Sequence, residues 1–242
     1  PKGVRAVDFA PGDHRHHRGI FLAWHAATCG DGRADFWGWG EFAPTESRVI
    51  VNRSVKLANS DEKRAVIEVK NDWMNGKNVV IKEETIITAG KLGGMVVIGQ
   101  DFRLQAQVDV QLDQTAFGGF CVKGRKEGNA DYFGPQGKID LPNPHHLKPE
   151  TDWPSAAWYD YVIELETGET VGVAVFDHPS NPKSTWHNLK PIAMINPCIV
   201  APSAITIKKG ETLRLRYGVA VHDGPAPVAE LTRLGKLWRK KK

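Results

Sequence analysis

The run Phe102-Arg103-Leu104-Gln105-Ala106-Gln107-Val108-Asp109-Val110-Gln111-Leu112 alternates apolar and polar residues almost without fault. Successive side chains of an extended chain project to opposite faces, so this run offers one face to a core and the other to water. It is predicted to be one half-buried antiparallel strand. Short β-branched runs precede it: Val49-Ile50-Val51, Val66-Ile67-Glu68-Val69, Val79-Val80-Ile81-Lys82, Glu84-Thr85-Ile86-Ile87-Thr88 and Val96-Val97-Ile98. Asn75-Gly76, between Trp73 and Val79, is a tight-turn signal for a hairpin. The pattern resumes with Tyr159–Leu165, a turn at Thr167-Gly168, Val171–Phe176, Ser203–Ile207 and Leu213–Val221. Only Pro227–Leu237 carries helical spacing, with Leu231, Leu234 and Trp238 on one face. Strand after strand with one short C-terminal helix predicts an all-β chain, an antiparallel β-sandwich, with residues 1–242 forming a single domain.

The middle of the chain lacks this period. Lys123–Asn129 and Gly134-Pro135-Gln136-Gly137 are turn-rich, and four prolines fall between Leu141 and Pro154. This stretch reads as one long excursion loop, and Tyr132, Phe133 and Trp153 within it favour an ordered lid. Cys29, Cys121 and Cys198 are far apart and odd in number, which argues against a closed disulfide framework. The formal net charge is +4, and much of the excess lies in Arg239-Lys240-Lys241-Lys242, which reads as a solvated tail. Elsewhere bases and acids are interleaved, so the sequence gives no electrostatic footprint for nucleic acid. No apolar run approaches the roughly 18 to 20 residues of a membrane span. Nothing readable fixes the compartment, whether periplasmic, secreted or cytoplasmic.

The chemistry concentrates in four places. In Asp13-His14-Arg15-His16-His17-Arg18-Gly19, three imidazoles fall within four residues. In an extended segment His14 and His16 project to one side, a spacing suited to a divalent metal, with His17 facing the other way. The same residues also suit a polar turn whose histidines bond to nearby backbone. In Asp177-His178-Pro179-Ser180-Asn181-Pro182, followed by Trp186-His187, a buried strand ends in a carboxylate, an imidazole and a kinked turn. Asn181 fits a sugar hydroxyl or a turn cap equally. His222-Asp223-Gly224 reads as a strand end with an exposed histidine. The tryptophans at 24, 37, 39, 153, 158 and 186 are individually ordinary core residues, but near histidines and carboxylates they also suit the walls of a carbohydrate pocket. There is no nucleophile elbow, zinc-protease motif or phosphate loop; Lys91-Leu92-Gly93-Gly94 lacks the strand-to-helix setting of the last.

Asp13-His14-Arg15-His16-His17-Arg18-Gly19-Ile20, Asp35-Phe36-Trp37-Gly38, Phe176-Asp177-His178-Pro179-Ser180-Asn181-Pro182, Trp186-His187 and Asn196-Pro197 together resemble the bacterial DUF6807 family, also labelled methane oxygenase PmoA-like. The likeness spans nearly the whole chain. Arg15 stands where that family usually has proline, which loosens the backbone and adds a charge. The resemblance implies a β-sandwich often accompanying sugar-processing genes, and further β segments ahead of Pro1, so an N-terminal portion is expected to be missing. A membrane copper oxygenase needs transmembrane helices, which this composition does not supply. The histidine-rich block is also similar, more loosely, to the galactose mutarotase-like superfamily, which implies a supersandwich-like arrangement and a site built from histidine and a carboxylate acting on a sugar.

Three function classes follow. The first is a carbohydrate-active hydrolase, lyase or isomerase doing acid/base chemistry on a sugar or oligosaccharide. There His16, His17, Arg18, Asp177 and His178 would be catalytic, and Trp24, Trp37, Asn181, Trp186 and His187 would bind substrate. A divalent metal on His14 and His16 is an optional addition. The second class is a non-catalytic sugar-binding module using the same groups, and the third a metal-binding β protein. One arrangement decides for the first two: His14, His16, His17 and His178 sharing a cleft with Trp37.

Overall fold

A computed structural model describes residues 3–10, 12, 15–38, 49–141 and 155–240. Its first strands are short: β1 (Ile20–Ala23), β2 (Ala27–Cys29) and β3 (Gly32–Ala34). Four long ones follow: β4 (Ile50–Ser60), β5 (Arg64–Asn75), β6 (Asn78–Leu92) and β7 (Met95–Ala106). Next come β8 (Val110–Leu112), β9 (Gly119–Lys123), β10 (Gly128–Gly134), β11 (Gly137–Ile139), β12 (Trp158–Leu165) and β13 (Thr170–Asp177). The chain continues through β14 (Thr185–Trp186), β15 (Met194–Ile195), β16 (Pro197–Cys198), β17 (Ile205–Ile207) and β18 (Thr212–Asp223), and ends in helix α1 (Val228–Lys240).

These strands form an all-β, antiparallel sandwich. One layer is a nine-stranded sheet in the order β11-β10-β12-β13-β18-β7-β6-β5-β4. Facing it are three smaller sheets, β1-β9-β15, β14-β16 and β17-β8-β2-β3. The main core lies between the layers, where Phe102, Leu104, Val173, Val175 and Tyr217 of the large sheet meet Trp24, Phe120, Trp186 and Ile195. On the other side of the large sheet, α1 covers Ala174, Phe176 and Ala220 with Leu231, Leu234 and Trp238. The helix thus uses the apolar face expected of it. Its last turn extends to Arg239 and Lys240, the first two residues of the basic tail.

Glycine sets the long hairpins. Gly76, at the first of two loop positions between Asn75 and Asn78, has a φ of +58°, in the sense a type II′ turn requires. Gly93 and Gly94, between Leu92 and Met95, take φ of +56° and +82°, in the sense of a type I′ turn. The stretch Lys91–Gly94 is therefore a hairpin end.

Two expectations need correcting. The alternating run from Phe102 to Leu112 is not one strand: it leaves the large sheet after Ala106 and re-enters pairing at Val110 in the facing layer. The burial alternation stays in phase across the switch, so periodicity alone cannot reveal it. The excursion loop is also shorter than predicted, because β10 pairs with β12 from Gly128 to Phe133 and β11 folds back on β10. Gly128 takes a φ of +149° against the Glu164 backbone, a close approach that only glycine permits. The proline-rich segment with Trp153 lies outside the described residues, as do His14 and Trp39.

Candidate functional site

His16 and His17 sit near the ends of the small sheets, where His17 meets Phe21 of β1 and Trp37 beyond β3. Arg15 and His16 lie in a turn, and pairing begins only with the bridge between Arg18 and Phe9. The extended geometry assumed for His14-x-His16 therefore does not hold at His16. His14, the other member of the expected chelating pair, lies outside the described residues. Among the described residues no group of three or more His, Cys, Asp or Glu is placed to hold a metal.

His17 is buried and packs edge-on against His16, with ring centroids 4.3 Å apart. It stacks on Phe21 at 5.4 Å and meets Trp37 edge-on at 5.6 Å. Phe117 lies 5.7 Å from Trp37, 4.5 Å from His25 and 5.5 Å from His187. Imidazoles from three separate parts of the chain thus surround one aromatic group. A cavity of about 150 Å³ lies among them, lined by His17, Trp37, Phe117, His187, Ile192 and Met194 among others. Beside it is a larger, more polar concavity of about 470 Å³, lined by Arg15, His16, Arg18, Phe36 and Trp37 among others. Trp37 is the wall common to both. The Arg18 guanidinium is 5.5 Å from the centre of the Phe9 ring.

The walls are held from behind. Asp35 is fully buried, and its Oδ1 accepts the backbone N–H groups of Trp37 and Gly38, each at 2.9 Å. The backbone N–H groups of Phe36 and Trp37 also donate to the carbonyl of Trp24. Opposite, buried Asn196 takes the Gly118 N–H on Oδ1 at 3.1 Å and donates Nδ2 to the Gly118 and Phe120 carbonyls at 2.9 and 2.6 Å. Gly118 and Gly119 have φ of +146° and +85°, and a Cβ on Gly118 would come within 2.9 Å of the Trp24 ring. This clamp fixes the backbone that carries Phe117. The Asn196 carbonyl also accepts the His187 N–H at 2.8 Å, so one residue ties down two sides of the cavity. Between Ile192 and Met194, Ala193 sits in the left-handed region at φ +51°, and the buried Lys123 ammonium donates to the Ile192 carbonyl.

The Asp177 segment is elsewhere. Asp177, His178 and Asn181 line a different concavity, of about 380 Å³, with Ser184, Lys183 and Arg239. No residue lining it also lines the His17 cavity or the Arg15 concavity. The expected shared cleft is therefore not formed: the loop after β13 lies beside the end of α1, where His178 packs 5.9 Å from Trp238 and Arg239 lines the same concavity. Within this group Asn181 is committed to the protein. Its Nδ2 donates to Asp177 Oδ1 at 2.6 Å and to the Arg216 carbonyl at 2.8 Å, and its Oδ1 accepts the Arg216 N–H at 2.8 Å. Asp177 Oδ2 accepts from Ser184 Oγ at 2.5 Å. Burial raises the Asp177 carboxyl to about 6, against the opposing hydrogen bonds from Ser184 and Asn181. His178 Nδ1 is 2.7 Å from Ser180 Oγ, and its Nε2 is 3.4 Å from Arg216. The motif acts as a staple that fastens the loop after β13 to β18.

Trp24 and Trp186 are core residues rather than pocket walls. Trp24 packs 5.6 Å from Trp73, while Trp186 packs 5.0 Å from Tyr159 and donates Nε1–H to the Ala156 carbonyl. His222 also departs from its exposed reading. It is 3% exposed and lies 3.0 Å from Asp160 Oδ2, which is 0% exposed. Burial raises the Asp160 carboxyl. Burial alone would lower His222, but its bond and attraction to Asp160 outweigh this and raise it.

Phe117, Ile192 and Met194 escaped the sequence reading because apolar walls look like core. The double glycine after Phe117 and the Asn196-Pro197 pair were the available signals.

None of the curated proteins compared with the chain matches it. Among solved structures it is similar to a galactose mutarotase related enzyme from Lactobacillus acidophilus, at 8% identity over 84% of this chain and 82% of that one, with a TM-score of 0.41. It is also similar to a galactose mutarotase-like protein from Clostridium acetobutylicum, at 10% identity over 88% and 81% of the two chains, with a TM-score of 0.38. A third likeness is to the GH36 α-galactosidase AgaB from Geobacillus stearothermophilus, at 8% identity over 72% of this chain, with a TM-score of 0.42. The match spans only 28% of that enzyme's length. The sequence profile of DUF6807, described as a family of unknown function, matches residues 1–236, and the chain belongs to that family.

Proposed function

We propose that the chain is an enzyme acting on a sugar or sugar derivative by acid/base chemistry, with His17 and His187 as the proton-transfer pair. One observation carries the reading: two imidazoles from opposite ends of the chain line the same aromatic-walled cavity. An imidazole titrates near neutral pH, so one can take a proton while the other gives one. Trp37 and Phe117 offer flat faces to the apolar side of a sugar ring. The buried Trp37 Nε1–H has no acceptor among the described residues, which leaves a donor for a ligand oxygen. The neighbouring concavity holds His16 together with Arg15 and Arg18, whose guanidinium groups suit a hydroxyl-rich or carboxylate-bearing remainder of the substrate. Asp177 and His178 take no part in this scheme, and their role is to hold the β13 loop.

The test uses a panel of reducing sugars and uronic acids, with proton exchange and anomer interconversion followed by NMR and binding by calorimetry. Turnover of one panel member, lost in His17→Asn and in His187→Asn while circular dichroism is unchanged, is the expected result. Binding without turnover, insensitive to either substitution, would favour the sugar-binding module. No binding to any member would remove the carbohydrate reading.

A further inference from the structure

We propose that the outer face of the nine-stranded sheet carries a second binding site, where Arg103 and Arg214 together hold an oxyanion of the carboxylate, sulfate or phosphate kind. The two arginines are direct cross-strand partners on β7 and β18. Direct partners hold their Cβ atoms about 4.5–5.5 Å apart, and like charges placed so are destabilising. Both face the side away from the main core, since Leu104 and Leu215, their chain neighbours, are buried in it. The nearby acids relieve them only in part: Glu84 attracts Arg103 across the strands, and neither acid forms an ion pair with Arg103 or Arg214 among the described residues. Glu84, the partner of Arg103 on β6, accepts from Lys70 Nζ at 2.8 Å, and Asp101 accepts from Arg216 Nε at 2.6 Å. Among the described residues neither Arg103 nor Arg214 makes a hydrogen bond or ion pair.

The row across β5, β6, β7 and β18 therefore reads Lys70, Glu84, Arg103, Arg214, with its positive excess at one end. That end opens into a concavity of about 460 Å³ lined by Arg103, Arg214, Arg216, Asp101, Glu84 and Ile86 among others. An oxyanion between two guanidinium forks takes paired charge-assisted hydrogen bonds and cancels their repulsion. Ile86 is 37% exposed at this site and offers an apolar contact to whatever molecule bears the anion. The site stands apart from the His17 cavity and does not depend on the function proposed for it.

The test is calorimetric titration at low ionic strength with inorganic sulfate, inorganic phosphate and a short oligogalacturonate. At least one should bind with 1:1 stoichiometry, weakened about tenfold or more in Arg103→Gln and in Arg214→Gln. Arg53→Gln, which alters an exposed pair with Asp72 on the same sheet, should leave that binding unchanged, and the inorganic ions should bind His17→Asn as they bind the parent chain. Binding of the inorganic ions identifies a free-anion site, and binding of the oligogalacturonate alone identifies an acidic-sugar site; either supports the proposal. Failure of all three probes to bind overturns it, as does binding that survives both arginine substitutions. Without ligand at low salt, Arg214→Gln should raise the thermal midpoint; a lowered midpoint would show that the arginines do not strain one another and would also overturn it.

Discussion

Gly172→Ala should be among the most damaging single-methyl changes in the chain. Gly172 on β13 is the register partner of His222 on β18, and Asp160 reaches His222 from β12 on the other side. A Cβ on Gly172 would overlap Nε2 and Cε1 of His222 and lie 3.1 Å from Cδ2. Carbon contacts relax near about 3.5–4.0 Å, so the ring must retreat by roughly 1 Å or more. The 3.0 Å bond to Asp160 would not survive that movement. Overpacking costs about 1–3 kcal/mol. An uncompensated buried charge costs about 3–5 kcal/mol more. Alanine returns only about 0.4–1 kcal/mol through the unfolded chain. The net loss is then about 3–7.5 kcal/mol, measured by urea unfolding followed by tryptophan fluorescence. The decisive comparison is a cycle with His222→Ala, where the space is vacated and adding the methyl should cost less than about 0.5 kcal/mol. If Gly172→Ala fails to fold, recovery of folding in the double variant makes the same point. A cost below about 1 kcal/mol, or one that persists undiminished without the imidazole, would refute the cradle argument.

Asn196→Ala should cost about 3 kcal/mol or more, because it leaves the Gly118 N–H and the Gly118 and Phe120 carbonyls buried without partners; near-UV circular dichroism should report the loosened Phe117. The Asp177 carboxyl is raised to about 6 from its usual 3.8, so the folded state holds its proton more tightly than the unfolded state. This group therefore makes stability fall as pH rises from about 4 through 6, and Asp177→Asn should flatten that slope in urea midpoints taken across the range. The three thiols should resist an aromatic disulfide reagent in the native protein and react together after unfolding. Burial pushes Cys29 to about 11, Cys198 to about 12 and Cys121 well above its usual value.

Much of the fold was readable because sheets write a period of two into the chain. From Val66 to Val221 most β-branched runs became strands of the large sheet, and the spacing of Leu231, Leu234 and Trp238 became the face of α1. What stayed hidden has identifiable causes. β10 and β11 are built from glycine, charge and aromatic residues, a composition that also makes turns. β1, β2 and β3 have only three or four residues each, too few to display a period. The crossing at Gln107-Val108-Asp109 keeps its alternation in phase while changing sheets, and only hydrogen-bond partners distinguish the two halves.

The site was legible in a different way. His17 and Trp37 stood out by chemistry, and they do line one cavity. Asp177 and Asn181 stood out equally, yet their polar atoms are spent on one another, on Ser184 and on the Arg216 backbone. Residue type reports what a side chain can bond to; the fold decides whether that capacity faces a cavity or a neighbouring strand. An asparagine whose donors and acceptor all meet the chain is a piece of backbone by other means, and both Asn181 and Asn196 answer to that description. The difference between them lies in what they hold. Asn181 fastens a loop on the helix side of the large sheet, whereas Asn196 sets the distance between Phe117 and His187. Loss of Asn181 should therefore register in stability, and loss of Asn196 in both stability and the shape of the histidine-lined cavity.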